Sequence, residues 1–375
     1  MEILIAADVV PTKSNEEDFK DLNFINNLGK EFKSLWLGAD YRMFNLECPL
    51  GSHNMKPIDK CGSNLIASSD TINGIKSLRP DLIFLANNHI LDYGQEGLDS
   101  TLNLLKENKI SYLGIVENLK DDNTSFIIEK NGVKVGIYNL CENEFSVATK
   151  MSRGANALTQ VKNYKDVNKL KEQVDYVIVI YHGGKEFYRY PSPNLQEICR
   201  NFVDFGADIV VTQHSHCIGC MEKYNNKSII YGQGNFIFDR ANDEYRNTSL
   251  IVKLDIEQGE INISYIPIEK DGRFIKISKD KTILENFKKR SEEIKREGFI
   301  EEQYSKFADK NLNLYLYAMN RKRIYNKILN RIFNRKFFTK IYNKKDCLEI
   351  LNYIECEAHR ELFIKGLKNK IKGDR

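Results

Sequence analysis

Short, nearly unbroken apolar runs alternate with amphipathic stretches from residue 1 to about 270, and this alternation predicts βα units. Strands are predicted at Glu2–Ala7, Met43–Leu46, Leu82–Ala86, Tyr112–Gly114, Lys134–Leu140, Tyr176–Tyr181, Ile209–Thr212, Ser228–Tyr231, Leu250–Ile256 and Ile261–Ile268. Several of these runs are apolar at consecutive positions, the mark of strands covered on both faces. Helical spacing fills intervals such as Gly97–Asn108 and Asn194–Phe205. The last two strands are joined by Glu257-Gln258-Gly259-Glu260, a hairpin-like turn, so the sheet is expected to become antiparallel at its edge.

Beyond about residue 270 the pattern changes. All seven prolines lie at or before Pro267, and no glycine stands between Gly298 and Gly366. A stretch without helix breakers predicts a helical appendage, giving a domain at 1–272 and a basic, mostly helical region at 273–375. Within it, Arg321–Lys345 holds ten Lys or Arg and no Asp or Glu. Apolar pairs recur at Ile324/Tyr325, Ile328/Leu329, Ile332/Phe333, Phe337/Phe338 and Ile341/Tyr342, which predicts one apolar stripe along a helix. Two readings stand: a packed helix with a solvated basic face, or contact with anionic lipid or an anionic polymer.

Composition narrows the setting. Against 56 Lys and Arg stand 52 Asp and Glu, a net +4, so no global field calls for a nucleic-acid partner. The eight scattered cysteines, several in or beside apolar runs, read as reduced thiols of a cytosolic protein rather than a disulfide framework. No basic segment with a long apolar stretch opens the sequence, and no run approaches 18 apolar residues. The expectation is a cytoplasmic protein; on the second reading of the basic region, that region adds peripheral contact at the inner face of the membrane.

The chemistry concentrates where the runs end. Four of the six histidines fall in Asn87-Asn88-His89, Tyr181-His182-Gly183-Gly184 and His214-Ser215-His216, each directly after an apolar run. Asp8 and Glu47 hold equivalent positions. Ligands of open α/β sheets bind at the carboxyl ends of strands, so five such ends at one edge predict a metal-dependent site. Taken alone, Asp8 reads as a turn residue or cap and Glu47 as a cap or surface group. His89 with Asp92 three residues on reads as an imidazole held by a carboxylate, fit for acid catalysis, or as a turn capping the next helix. His182 is a ligand or a core histidine. His214 and His216, at i and i+2, reach one ion or flank two, and imidazole suits zinc, manganese, iron or nickel. Cys217 and Cys220 follow at once, but no second ligand pair lies nearby, and they read as small buried hydrophobes. Glu142 and Glu144, after the strand ending at Leu140, line the same edge or the surface. His53 lies six residues after Glu47, and His359 sits in the helical region.

The ordered series Ala6-Ala7-Asp8-Val9, Asn45-Leu46-Glu47-Cys48-Pro49-Leu50, Asn87-Asn88-His89-Ile90-Leu91-Asp92-Tyr93-Gly94, His182-Gly183-Gly184-Lys185-Glu186-Phe187, the run ending in His214-Ser215-His216, and Gly234-Asn235-Phe236-Ile237-Phe238-Asp239 resembles the capsule-synthesis CapA family, a relative of the calcineurin-like metallophosphoesterases. The resemblance covers residues 1 to about 255. It implies a metallophosphoesterase-like layered α/β/β/α sandwich, followed here by the helical appendage. It also implies that Asp8, Glu47, Asn88, His182, His214 and His216 surround one or two divalent ions, with Mn, Zn or Fe expected. Glu47 would bridge, His89 would donate a proton under the control of Asp92, and Glu186 and Asn235 would bind substrate or support the ligands. The chain departs from the wider Asp-x-His pattern at Asp8-Val9-Val10, which lacks one imidazole and leaves the number of ions open. The implied function is a phosphoesterase-like hydrolase or transferase of capsule, poly-gamma-glutamate or cell-envelope polysaccharide synthesis, acting on an anionic polymer or phosphorylated precursor. The alternative is a non-catalytic binding component of a polymer-synthesis assembly.

Overall fold

The computed structural model describes residues 1–119, 125–239, 243–257, 259–319, 324–355, 359, 363–364, 367 and 371. They fall into two compact units, Met1–Ile300 and Glu301–Arg375. In chain order the main strands of the first unit are β1 (Glu2–Val10), β2 (Tyr41–Leu46), β3 (Leu82–Phe84), β4 (Tyr112–Leu113), β5 (Ser125–Lys130), β6 (Val133–Cys141), β7 (Tyr176–His182), β8 (Ile209–Gln213), β9 (Ile218–Tyr224), β10 (Lys227–Gln233), β11 (Asn235–Phe238), β12 (Thr248–Glu257), β13 (Glu260–Asp271) and β14 (Phe274–Ile277). Its main helices are α1 (Lys30–Gly38), α2 (Gly94–Glu107), α3 (Val161–Lys171), α4 (Pro193–Asp204) and α5 (Lys281–Glu293).

These strands build two sheets. The first runs β14-β13-β12-β1-β2-β3-β4, with β11 also paired to β1; the second runs β9-β10-β8-β7-β6-β5. Pairing is parallel among β1 to β4 and among β6, β7, β8 and β10. It is antiparallel through β12, β13 and β14, with Glu257 opposite Glu260 as the turn between them predicts.

Side chains alternate across each strand, and both faces are covered. Ile3 and Ile5 of β1 lie between the sheets with Ile137, Ile178, Ile180 and Val211. Leu4 and Ala6 turn the other way, into a cluster with Phe32 and Trp36 of α1 and Leu98 and Leu105 of α2. On the far side, Val177, Val179 and Val210 pack against Val167 and Leu170 of α3 and Ile198 and Phe202 of α4. The result is an α/β/β/α sandwich. Burial on both faces is why these runs carry almost no polar position.

The single edge expected from the sequence is in fact two edges facing each other: β1, β2 and β3 belong to one sheet, β7 and β8 to the other. Buried amides tie the sheets where the edges meet. Asn139 accepts from the Ala86 N–H (3.0 Å) and donates to the Ile180 carbonyl (3.1 Å), while Gln213 and Gln233 donate to the carbonyls of Ala6 (3.1 Å) and Ile5 (2.8 Å). Gly114 borders Asn139 so closely that a Cβ there would lie 2.1 Å from its Oδ1.

Residue 272 falls in the turn between β13 and β14, and α5 follows in the same unit with Ile283 and Phe287 buried. Asp280 caps α5 by accepting from the Thr282 N–H (2.9 Å). After α5 the helices α6 (Phe299–Met319), α7 (Ile324–Ile332), α8 (Phe337–Ile341) and α9 (Lys344–Glu355) follow one another. The single stripe predicted across Arg321–Lys345 is interrupted: Asn334 and Arg335 adopt left-handed φ of 49° and 60°, which ends α7 and separates α8 from it. Arg321–Arg323 lie outside the described residues. Among the described residues no helix is long and apolar enough to cross a membrane.

Candidate metal centre

The carboxyl ends of β1, β2, β3, β7 and β8 bring Asp8, Glu47, Asn88, His182, His214 and His216 together, all of them buried. Irregular register on both sides of Asp8, against β11 and against β2, re-aims the end of β1. Asn45 donates to Asp8 Oδ1 (2.8 Å) and is itself held by the Asn87 amide (3.0 Å). His182 Nε2 is a point of convergence: Asn88 Oδ1 lies at 3.1 Å, His214 Nδ1 at 3.2 Å and Glu47 Oε1 at 3.3 Å. His216 Nδ1 pairs with Asn235 Oδ1 (2.8 Å) and lies 3.6 Å from Asp8 Oδ2, and its Nε2 is 4.0 Å from Glu47 Oε1. His214 and His216 have φ of 84° and 51°, a conformation that costs a non-glycine residue about 1–3 kcal/mol and that a packed surrounding must impose.

The donors fit a divalent cation on one observation above all. Among the described residues, Asp8 Oδ2 and both carboxylate oxygens of Glu47 are buried without a hydrogen-bond partner; imidazole nitrogens stand 3.6 Å from Asp8 Oδ2 and 3.3 Å from Glu47 Oε1. Burying an uncompensated carboxylate is among the most unfavourable arrangements a protein can adopt. Positive charge has to sit among these atoms. In the metal-free protein the imidazoles supply it. Burial alone would raise the Glu47 carboxyl, yet the charge of His216 and the closeness of His182 hold it well below the usual carboxylate range. Burial opposes protonation of His216, but Glu47 and Asp8 raise it to about 9. His182 is raised in the same way by Glu47, against its own burial. His214 is pushed well below the ordinary histidine value by burial and by the neighbouring imidazoles. Glu47, His214 and His216 can place one ligand atom each within 4.8 Å of one another. Carboxylate, amide oxygen and imidazole together suit manganese, iron or zinc.

Beside this ring stands a second polar group. His89 Nδ1 and Asp92 Oδ2 are 2.6 Å apart, and the Asp92 carboxylate accepts from the Leu65 N–H (2.6 Å). Lys60 pairs with Asp92 and approaches His89 Nδ1 at 3.2 Å, its side chain only 2% exposed. The segment carrying Lys60 is fastened at the same point, since the Ile58 N–H and the Asn64 amide both donate to the Asp92 carbonyl (2.9 and 3.0 Å). Asp92 therefore holds both the imidazole and the loop over it. Lys60 carries no signal in the sequence: it stands in an irregular loop, and only folding brings it to residue 92. Asn45 and Asn87 were legible only as neighbours of Glu47 and Asn88.

Other candidates lie elsewhere. Glu186 is half-buried in the turn after Gly184, and among the described contacts none joins it to the ring. The Asn235 side chain meets the ring at His216, and its backbone stands opposite Asp8 across β1 and β11. His53 pairs with Glu16 (2.8 Å) at the surface, and His359 is exposed in the second unit. Cys217 and Cys220 are buried, and burial raises both thiols, Cys217 to about 11. Val10, where an imidazole would stand in the Asp-x-His pattern, is packed in the core on the α1 side of the sheet.

Layering, strand order and a carboxylate–imidazole cluster at the meeting edges make this a metallophosphoesterase-like fold. Residues 2–240 match the family model described as bacterial capsule synthesis protein PGA_cap, and the chain belongs to that family. It is 28% identical over 264 residues to the capsule biosynthesis protein CapA of Bacillus anthracis, covering 64% of each chain. To the PGA biosynthesis protein CapA of Bacillus subtilis (strain 168) it is 28% identical over 222 residues, 58% of each chain. The chain thus spans less than two thirds of the length of these relatives. Among solved structures it is similar to the NAD nucleotidase of Haemophilus influenzae (14% identity, 77% of this chain and 56% of that one, TM-score 0.45). It is also similar to a 5'-nucleotidase precursor from Thermus thermophilus (12% identity, 74% and 54%, TM-score 0.44).

Proposed function

We propose that this protein is a metal-dependent, phosphoesterase-like hydrolase or transferase acting on an anionic polymer or phosphorylated precursor of capsule, poly-gamma-glutamate or envelope polysaccharide synthesis. The observation that carries the reading is the set of orphaned carboxylate oxygens of Asp8 and Glu47, buried among three imidazoles and beside the His89–Asp92 pair. Asp8, Glu47, Asn88, His182, His214 and His216 would hold one or two divalent ions. Held there, such an ion would supply Lewis acidity toward a phosphoryl or acyl oxygen and would lower the pKa of a water. The chain's own residues do the rest. Asp92 fixes the His89 ring through Nδ1, leaving Nε2 as the nitrogen that protonates the leaving oxygen. Lys60 balances the Asp92 charge, so that this carboxylate stays buried beside the ring.

The purified protein is to be assayed against generic phosphomonoesters and phosphodiesters with and without added Mn²⁺. Turnover that depends on the metal is expected. Bound metal with no turnover on any substrate, including polymer precursors, would favour the second reading, a non-catalytic component of a polymer-synthesis assembly. The absence of an imidazole at Val10 is what favours that alternative.

We also propose a cytoplasmic location with peripheral attachment to anionic membrane. Exposed Ile328, Ile332, Phe333 and Ile341 lie along the same segment as exposed Arg331, Arg335, Lys336 and Lys340. Each cation near an anionic leaflet contributes about 1 kcal/mol. Sedimentation with anionic but not zwitterionic vesicles is expected, weakening with salt and lost when those four cations are replaced by Glu. A wild type that stays in the supernatant at low salt removes the proposal.

A further inference from the structure

Glu142 directly follows β6 and reaches across to the end of the neighbouring strand β7 and to that of β8 beyond it. Its N–H donates to the carbonyl of His182 (3.0 Å), and its Oε2 accepts the Gly184 N–H (3.0 Å). Its Oε1 lies 3.3 Å from His214 Nε2. The other nitrogen of that ring, Nδ1, is the one facing His182 Nε2 at 3.2 Å. A neutral imidazole carries its proton on one nitrogen and its lone pair on the other, and the partner of the first decides which. A carboxylate oxygen 3.3 Å from Nε2 favours the proton there by its charge rather than by an aligned hydrogen bond, and leaves the lone pair on Nδ1.

His216 is arranged in the opposite sense. Asn235 Oδ1 faces its Nδ1, so Nε2 is left toward Glu47. The paired histidines of one short turn therefore offer different nitrogens, each chosen by a different acceptor. Both residues stand on left-handed backbone.

We infer that Glu142 is a positioning residue that fixes His214 in the Nε2–H form and so presents Nδ1, together with His182 Nε2, Asn88 Oδ1 and Glu47, to a divalent cation. This deepens the metal reading above and rests on it for its consequence, but the ring form can be measured without metal. Carboxylates that orient ligating imidazoles commonly change metal affinity 10–100-fold when removed.

Long-range proton–nitrogen correlation spectra of metal-free, ¹⁵N-labelled wild type should show the His214 proton on Nε2. Glu142→Ala should give a mixture of forms and roughly 10–100-fold weaker Mn²⁺ binding by calorimetry. Glu142→Gln, which keeps one acceptor oxygen and the side-chain volume, should fall between the two and guards against a folding defect in the alanine variant. A wild-type His214 with its proton on Nδ1 overturns the inference. So does a Glu142→Ala protein with the wild-type ring form and unchanged Mn²⁺ affinity. Wild-type protein that takes up no Mn²⁺ or Zn²⁺ refutes the metal reading instead, while its ring form still decides the role of Glu142.

Discussion

Protein carrying His214→Ala and His216→Ala together should emerge from purification without the divalent metal that the wild type retains, and without activity. His216 lies against the orphaned oxygens of Asp8 and Glu47, His214 can place a ligand atom within 4.8 Å of Glu47 and His216, and both leave the end of β8 on left-handed backbone. Losing them strips two of six candidate ligands, so affinity should fall by more than the roughly 10–100-fold typical of outer-sphere partners. The pH dependence has a definite sign. His216 is raised to about 9 in the metal-free protein, so below that value a metal must displace its proton, and uptake should weaken as the pH falls. The same shift bears on stability. A raised imidazole contributes fully below its ordinary value of about 6.5 and loses that contribution as the pH rises through about 9. Chelated wild type should accordingly melt at a lower temperature at pH 10 than at pH 7, and the double variant should lose this part of the dependence. Elemental analysis and calorimetric melts decide the matter. A wild type without metal after incubation with Mn²⁺ or Zn²⁺ would sink the ligand assignment.

His89→Asn should lower turnover by roughly 10²–10⁴ while leaving metal content nearly unchanged. The distinction from the first variant lies in what each ring touches. His89 Nδ1 is engaged by Asp92 and Lys60, away from the oxygens that lack partners. Removing the ring still leaves Asp92 paired with Lys60 and with the Leu65 N–H, so no buried charge is abandoned and the fold should hold. Asp92→Asn is the contrasting change, since it strands the buried Lys60 ammonium and should cost about 3–5 kcal/mol of stability. Single-turnover kinetics beside elemental analysis separates the roles. Metal lost in proportion to activity would make His89 a ligand, and unaltered turnover would remove it from the reaction.

How much of this was legible beforehand varies from residue to residue. The predicted strands at residues 2–7, 134–140, 176–181 and 250–256 correspond to β1, β6, β7 and β12, because burial on both faces leaves an apolar run that no exposed element imitates. β5, β9, β11 and β14 were not anticipated: β5, β9 and β14 are edge strands that pair on one side only, and β11 has four residues inside a motif that reads as a turn. His182, His214 and His216 stood out as rare residues at the ends of such runs. Glu186 stood beside them in sequence, yet no described contact joins it to the ring.

The sequence by itself determined the central strands covered on both faces, that their carboxyl ends carry acids, amides and imidazoles, and the family to which the order of those motifs belongs. These are local properties, written in the period of apolar positions and in short spacings. Only the tertiary structure decided that the five strand ends come from two sheets tied by Asn139, Gln213 and Gln233. Only it set Lys60 against Asp92 and Glu142 against His214. The physical reason is range. A strand's burial follows from its own residues, whereas the partner of a buried charge is whichever group the packed sheets bring within about 3 Å, and sequence distance places no limit on that choice.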